Sequence, residues 1–243
     1  MGRILTLVYG AVAYAFFLGT FLYAIGFIGN LLVPKSVDGP SSAGTGTAIA
    51  INIALMALFA VQHSVMARPA FKRWWTQFIP KSVERSTFVL STNVVLVLLY
   101  WQWQPINTIV WSVENAVGVW VLWGLFALGW LIVLLSTFMI GHFHLFGLTQ
   151  VYENLKGKEP PPPDFKQPGF YRFVRHPIMV GFIIAFWAIP TMTVGHLLFA
   201  AVTTAYILIA LQLEERDLLA ALGNSYADYR ARVPMLLPFG KKR

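Results

Sequence analysis

The chain has no cysteine and little charge: only 12% of its 243 residues are Asp, Glu, Lys or Arg, against roughly a quarter in an average soluble domain. The missing cysteine excludes disulfides, thiolate metal ligands and a cysteine nucleophile. The scarcity of charge excludes an ordinary water-facing surface. With 57% hydrophobic residues and a mean hydropathy of +0.65, the composition points to an integral membrane protein. Nucleotide loops are also missing. Gly44-Thr45-Gly46 has neither a preceding strand nor the third glycine of a dinucleotide fingerprint, and no Gly-Lys-Ser/Thr phosphate loop occurs.

What is present is a series of long apolar runs. Ile4 to Val33, Thr47 to Met66, Ser86 to Trp103 and Ala116 to Ile140 each approach or exceed the ~20 residues that cross a bilayer core. The first is too long for the apolar core of a signal peptide and reads as a retained, tilted span. The last run, Ile178 to Leu213, is interrupted by Pro190-Thr191-Met192-Thr193. Its first arm would be only about 18 Å long as a helix, so the run reads as a hairpin with one short or re-entrant arm. The expected fold is all-α: a polytopic membrane bundle of four spans plus a C-terminal helical hairpin, with cytoplasmic C-terminal helices and no Rossmann domain.

The net charge of +8 is a topology signal. With the N-terminus cytoplasmic, every Lys and Arg except Lys35 lies inside, so the positive-inside rule puts both termini in the cytoplasm. This distribution argues against a nucleic-acid partner.

Residues 1 to 140 read as a scaffold of two hairpins, with a Gly/Ser/Thr turn at Ser41 to Thr47 and a basic loop at Ala67 to Arg85. Residues 141 to 243 read as the catalytic region. It opens on a polar cluster, His142, His144, Gln150, Tyr152, Glu153 and Asn154, and continues through Pro160 to Pro163, a stiff polyproline II spacer. Arg175-His176-Pro177 then stands at the start of the final apolar run, and Glu214-Glu215-Arg216-Asp217 at its end. Opposite charges flanking one hairpin can converge.

Each of these residues has a bland reading beside the chemical one. His176 can cap a helix begun by Pro177 while Arg175 binds lipid phosphate. Alternatively, the helix N-terminus with Arg172 and Arg175 binds an anionic ligand group. Glu214 and Glu215 point about 100° apart on a helix, so at most one faces a site. Tyr226 and Tyr229 share a helix face and form either an interfacial belt or a ligand-stacking surface. Asn224 or Ser225 can cap that helix. His63 and His196 read as packed histidines. His142 and His144 lack the spacing of a helical metal pair, and no metal site is expected.

The pattern Tyr171-x-x-x-Arg175-His176-Pro177-x-x-x-Gly181, then Glu214-Glu215-x-x-Leu218, Gly223-x-x-Tyr226-x-x-Tyr229 and Val233-Pro234 resembles the isoprenylcysteine carboxyl methyltransferase-like superfamily. The resemblance covers about the last third of the chain. His142 to Gln150, Pro190 to Leu197 and Leu213 to Leu218 look like its bacterial methanethiol S-methyltransferase branch, and His63-Ser64 also fits the related NnrU-like membrane proteins.

The resemblance implies S-adenosylmethionine as methyl donor and a small volatile thiol, methanethiol, as substrate, the alternatives being a larger lipid-borne acceptor such as an isoprenylcysteine carboxylate or a non-enzymatic NnrU-like accessory protein. The expected setting is a bacterial inner membrane, with the bilayer as partner and no obligatory protein partner. The resemblance carries donor binding onto Tyr171, Arg175, His176, Glu214, Glu215, Tyr226 and Tyr229, with Gln150 added from the polar connector. The catalytic candidates are His176, Arg175, Glu214 and His142, and whether His176, His142 or one of the glutamates takes the thiol proton stays open.

Overall fold

The computed structural model describes residues 2–40, 43–159 and 165–239. The expected proline spacer at Pro160 to Pro163 and part of the turn at Ser41 to Thr47 therefore lie outside the described residues. The chain is predominantly helical and divides into two compact units, Met1–Ile106 with Gly141–Asp164 and Asn107–Ile140 with Phe165–Arg243. The expected division of roles at residue 140 is thus not the division of packing, because the polar connector belongs to the first unit.

In chain order the first unit begins with α1 (Arg3–Gly29), α2 (Thr45–Ala67), the short α3 (Pro69–Trp75) and α4 (Lys81–Gln102). The second unit follows with β1 (Ile109–Ser112) and α5 (Ala116–Met139). The chain then returns to the first unit for α6 (His142–Leu145) and α7 (Leu148–Leu155). It ends in the second unit with a 3₁₀ turn at Gly169–Arg172, α8 (Pro177–Trp187), β2 (Thr191–Thr193), α9 (Val194–Leu222) and α10 (Asn224–Arg232).

Five helices, α1, α2, α4, α5 and α9, are long and apolar enough to cross a membrane, as an integral membrane protein requires. With α8 as the short arm, they give the expected four spans and a hairpin. Exposed apolar residues such as Leu22, Val61, Trp120 and Ile209 suit lipid rather than water.

The first unit is closed at one end by aromatic packing. Phe27, fully buried, meets Tyr100 and Trp103, and the Trp103 indole N–H donates to the Val37 carbonyl at 3.1 Å. Asn52 in α2 exchanges two hydrogen bonds with Gln104 at 2.7 and 2.8 Å, which satisfies backbone groups beyond the end of α4.

The second unit is built on a close approach of α5 and α8. A Cβ on Gly181 would lie 2.6 Å from the Gly129 carbonyl oxygen, and one on Gly129 would lie 2.7 Å from that of Gly181. Only hydrogen fits between these backbones, the arrangement small residues permit between membrane helices.

An antiparallel pair, β1 with β2, was not legible in the sequence. It engages the interruption at Pro190 to Thr193, with Val113 N–H donating to Pro190 O at 3.0 Å. Thr193 then caps α9 by accepting from His196 N–H at 3.0 Å, and the fully buried His196 ring meets the Phe186 carbonyl at 3.0 Å. His196 is thus a packed histidine, and so is His63, stacked on Phe59. Because β1 immediately precedes α5 and the 3₁₀ turn packs at the other end of α5, the α8–α9 turn reaches the end of this unit opposite His176.

Candidate functional site

The site in the second unit follows from the phase of α9. Ile207, Leu211 and Glu215 are buried at four-residue intervals and continue the inward stripe that begins at His196, Phe199 and Ala200. Glu215 ends this stripe with its side chain 2% exposed, whereas that of Glu214, one step round the helix, is 49% exposed. The open choice between the two acids therefore resolves by geometry: Glu215 faces inward and Glu214 stands at the rim.

Two cations hold Glu215. Arg175 Nε donates to Glu215 Oε1 at 2.7 Å, and Arg175 Nη2 lies 2.7 Å from the same oxygen. Arg230 Nε lies 3.3 Å from Oε2. Arg175 Nη1 also donates to the carbonyls of Val233 and, at 3.2 Å, Arg230. Its backbone N–H binds Pro234 O at 2.9 Å, and His176 N–H binds Met235 O at 3.2 Å. Arg175 thus ties the start of α8, the inward face of α9 and the segment after α10 together. Its guanidinium is engaged by the protein and is not presented to a free anion.

His176 is the N-cap residue of α8, but its side chain makes no capping hydrogen bond. It turns to the acids instead, with Nε2 3.1 Å from Glu215 Oε1 and Nδ1 3.8 Å from Glu214 Oε2. Pro177 occupies the first helical position, where its missing N–H costs nothing.

The tyrosines form the floor. Tyr226, Tyr229 and Val233 are buried together against Phe165, Leu218, Leu219 and Leu222, in edge-to-face ring contacts near 5.9 Å. They are packed rings rather than an open stacking platform. Tyr229 donates its hydroxyl to the Tyr171 carbonyl at 2.7 Å, and the Tyr171 hydroxyl reaches Ser136 O at 3.4 Å. Burial pushes the Tyr229 phenol up to about 12, and it raises Tyr171 and Tyr226 as well, with the nearby carboxylates adding to the rise. These phenols stay neutral hydrogen-bonding groups at physiological pH. Helix α10 starts after Gly223 at φ +54°, and neither Asn224 nor Ser225 supplies a side-chain cap.

Among the described residues, Glu215 Oε2 and the Tyr226 hydroxyl make no good hydrogen bond, although Arg230 forms an ion pair with the first at 3.3 Å and Arg175 stands beside the second. A buried acceptor and a buried hydroxyl left unsatisfied cost stability unless something else meets them. A ligand rich in amino and hydroxyl donors fits that pair.

The other expected residues lie in the first unit. His142 is buried with Nε2 2.9 Å from the Tyr14 hydroxyl, among the rings of Phe17, Phe143 and Phe146. Desolvation lowers its imidazole below the ordinary value, favouring the neutral ring. Gln150 donates to the His144 carbonyl at 3.0 Å, and its own buried carbonyl oxygen has no hydrogen-bond partner among the described residues. Tyr14 carried no signal in the sequence, being one ring in a long apolar span. Arg230 was visible only as a neighbour of the tyrosines, and its pairing with Glu215 required the fold.

Residues 51–214 match the model of the family described as NnrU protein. A methanethiol S-methyltransferase of Mycobacterium tuberculosis (strain ATCC 25618 / H37Rv) is 57% identical over 239 residues, 98% of each chain. A second, from Crocosphaera subtropica, is 54% identical over 100% of this chain and 95% of its own. Nurim of Mus musculus is 31% identical over 70% of this chain and 68% of its own. No solved structure matches the chain.

Proposed function

The chain belongs to the NnrU protein family, among relatives that include methanethiol S-methyltransferases, and from that membership we propose that it methylates methanethiol to dimethyl sulfide with S-adenosylmethionine as donor. The observation that carries the reaction is similarity along the whole chain, 57% identity over 98% of both partners, rather than a match confined to one motif.

The donor site belongs in the second unit, with Tyr171, Arg175, His176, Glu214, Glu215, Tyr226 and Tyr229 as its residues. Bound there, S-adenosylmethionine supplies a methyl group activated by its sulfonium charge. Glu215 Oε2, ion-paired to Arg230 at 3.3 Å but without a hydrogen bond among the described residues, and the Tyr226 hydroxyl suit its amino and hydroxyl groups. Glu214 adds a second negative charge at the rim, which favours a cationic ligand. Arg175 acts by fixing Glu215 and the segment at Val233 to Met235. Arg230, 46% exposed, is the cation suited to a ligand carboxylate. Tyr171 and Tyr229 fasten the 3₁₀ turn to α10.

The thiol reacts as its thiolate, and an anion meeting a cation is favoured where water is excluded and the reacting atoms are held in line. We place this site at the cytoplasmic boundary of the inner membrane, with both termini inside, because that orientation keeps all Lys and Arg except Lys35 on one side. A small apolar thiol reaches such a boundary through the lipid as readily as through water.

The test is donor binding by calorimetry on the purified protein, followed by headspace measurement of dimethyl sulfide after methanethiol is added. Binding without product would remove methanethiol as substrate and keep methyl transfer. No binding would remove the donor.

A further inference from the structure

The residues assigned to the donor leave one step without an agent, the removal of the thiol proton. A cysteine thiol has a pKa of ~8.5, and a simple alkanethiol is no stronger an acid, so the substrate arrives protonated at neutral pH. We propose that His176 takes this proton on Nδ1 and that Glu214 passes it to water, an inference that rests on the thiol-methylation reading above.

The geometry assigns the tautomer. Glu215 Oε1 receives Arg175 Nε at 2.7 Å and lies 3.1 Å from His176 Nε2, while Arg230 stands 3.3 Å from Oε2. A carboxylate between two guanidinium groups is ionised and can only accept hydrogen bonds. The hydrogen on His176 is therefore on Nε2, and in the neutral ring Nδ1 carries the lone pair. Among the described residues Nδ1 makes no hydrogen bond, since Glu214 Oε2 at 3.8 Å is beyond that range. The result is a buried acid orienting a histidine whose other nitrogen is a vacant base, the division of labour seen in acid-histidine pairs of acyl-transfer enzymes.

The proton balance closes on these residues. The S–H bond breaks, the proton goes to Nδ1 and the electron pair stays on sulfur as the thiolate that methyl transfer consumes. The imidazolium then lies between Glu215 Oε1 and Glu214 Oε2. Glu214, half exposed, takes the proton from Nδ1 and releases it to water, which returns the ring to its starting tautomer. The charged and titratable groups around the ring and its carboxylates are Glu214 and Glu215 from α9, Arg230, Tyr226 and Tyr229 from α10, and Arg175 and Tyr171 from the approach to α8. His142 offers a weaker case, because its Nε2 meets a phenol, whereas that of His176 meets a carboxylate.

The experiment measures His176→Gln against wild type with methanethiol from neutral into alkaline pH, and with trifluoroethanethiol, a small thiol made more acidic by its fluorines. Glutamine keeps a polar group but cannot accept the proton. Turnover of methanethiol at neutral pH should fall about 10²- to 10⁴-fold. It should then rise about tenfold per pH unit as the thiol ionises in solution, and the deficit should shrink with the acidic thiol. An equal deficit at every pH and for both thiols would make His176 a binding or packing residue and overturn the relay, as would alkaline rescue found in His142→Gln instead.

Should His176→Gln not fold, Glu214→Gln at the exposed rim decides the matter. Its turnover should drop by about tenfold and recover in concentrated imidazole buffer, and a loss indifferent to buffer would overturn the relay. Wild-type protein that makes no dimethyl sulfide sinks the methylation reading and takes the relay with it. Wild-type product with contrary variants sinks the relay alone.

Discussion

Glu215→Gln is the substitution on which the arrangement of the second unit can be weighed. It removes the charge from a side chain 2% exposed and leaves the guanidinium of Arg175, 5% exposed, without its charge partner. Removing one member of a buried ion pair costs about 3–5 kcal/mol because the other charge is left uncompensated. Glutamine should fall toward the lower end, since its amide oxygen can still accept from Arg175. At about 2–4 °C per kcal/mol for a chain of this size, the apparent melting temperature should drop by on the order of 6–15 °C. Glu214→Gln, at the rim, should change it by no more than about 2 °C, within the ~0.5 kcal/mol typical of surface substitutions.

The assay is thermal unfolding of the purified variants in one detergent, with donor binding measured on each at low temperature. A third variant separates stability from binding. Arg175→Met combined with Glu215→Leu replaces the pair with apolar side chains of similar size, an exchange that is often neutral or stabilising. It should regain much of the lost melting temperature without regaining donor binding. If Glu215→Gln and Glu214→Gln melt alike, the buried position of Glu215 and the role given to Arg175 are both wrong.

Three further outcomes follow from the geometry. Gly181→Ala should destabilise the protein by about 1–3 kcal/mol, because the new methyl meets the Gly129 carbonyl at 2.6 Å and the Val133 backbone nitrogen at 2.9 Å; an unchanged melting temperature would contradict the α5–α8 contact. Tyr229→Phe should cost about 1 kcal/mol through the lost bond to the Tyr171 carbonyl, measured by thermal unfolding at neutral pH. The same phenol titrates in the unfolded chain near 10.0 but in the folded protein only at about 12. The unfolded state therefore holds fewer protons in that window, and stability falls as pH rises from about 10 to about 12. Tyr229→Phe should lose less stability than wild type across that window.

The spans were legible because length and hydropathy suffice to define them, and the short first arm of the last hairpin was legible because Pro190 interrupts it. The β1–β2 pair was not, since four residues at Ile109 join three at Thr191 across about eighty residues of chain. Convergence of Arg175 with the acids could be read from opposite charges flanking one hairpin. Which acid turned inward could not, because α9 is apolar on its lipid-facing side as well as its packed side and so shows no stripe in sequence. Only the packed positions Ile207 and Leu211 set its phase and place Glu215. The engagement of Arg175 was hidden for another reason: its partners at Arg230 and Val233 are backbone carbonyls, and any residue type presents one. Tyr14 was hidden by its setting, an apolar span in which a tyrosine marks nothing until His142 is found beside it.

Methyl transfer in the site at Glu215 is tested most directly with a deuterated methyl group. Wild-type protein and Glu215→Gln are incubated with methanethiol and S-adenosylmethionine carrying a CD₃ group, and dimethyl sulfide in the headspace is weighed by mass spectrometry. Product with one CD₃ and one CH₃ is expected from the wild type, and little or none from folded Glu215→Gln. Unlabelled product, no product from the wild type, or equal product from both proteins would contradict it.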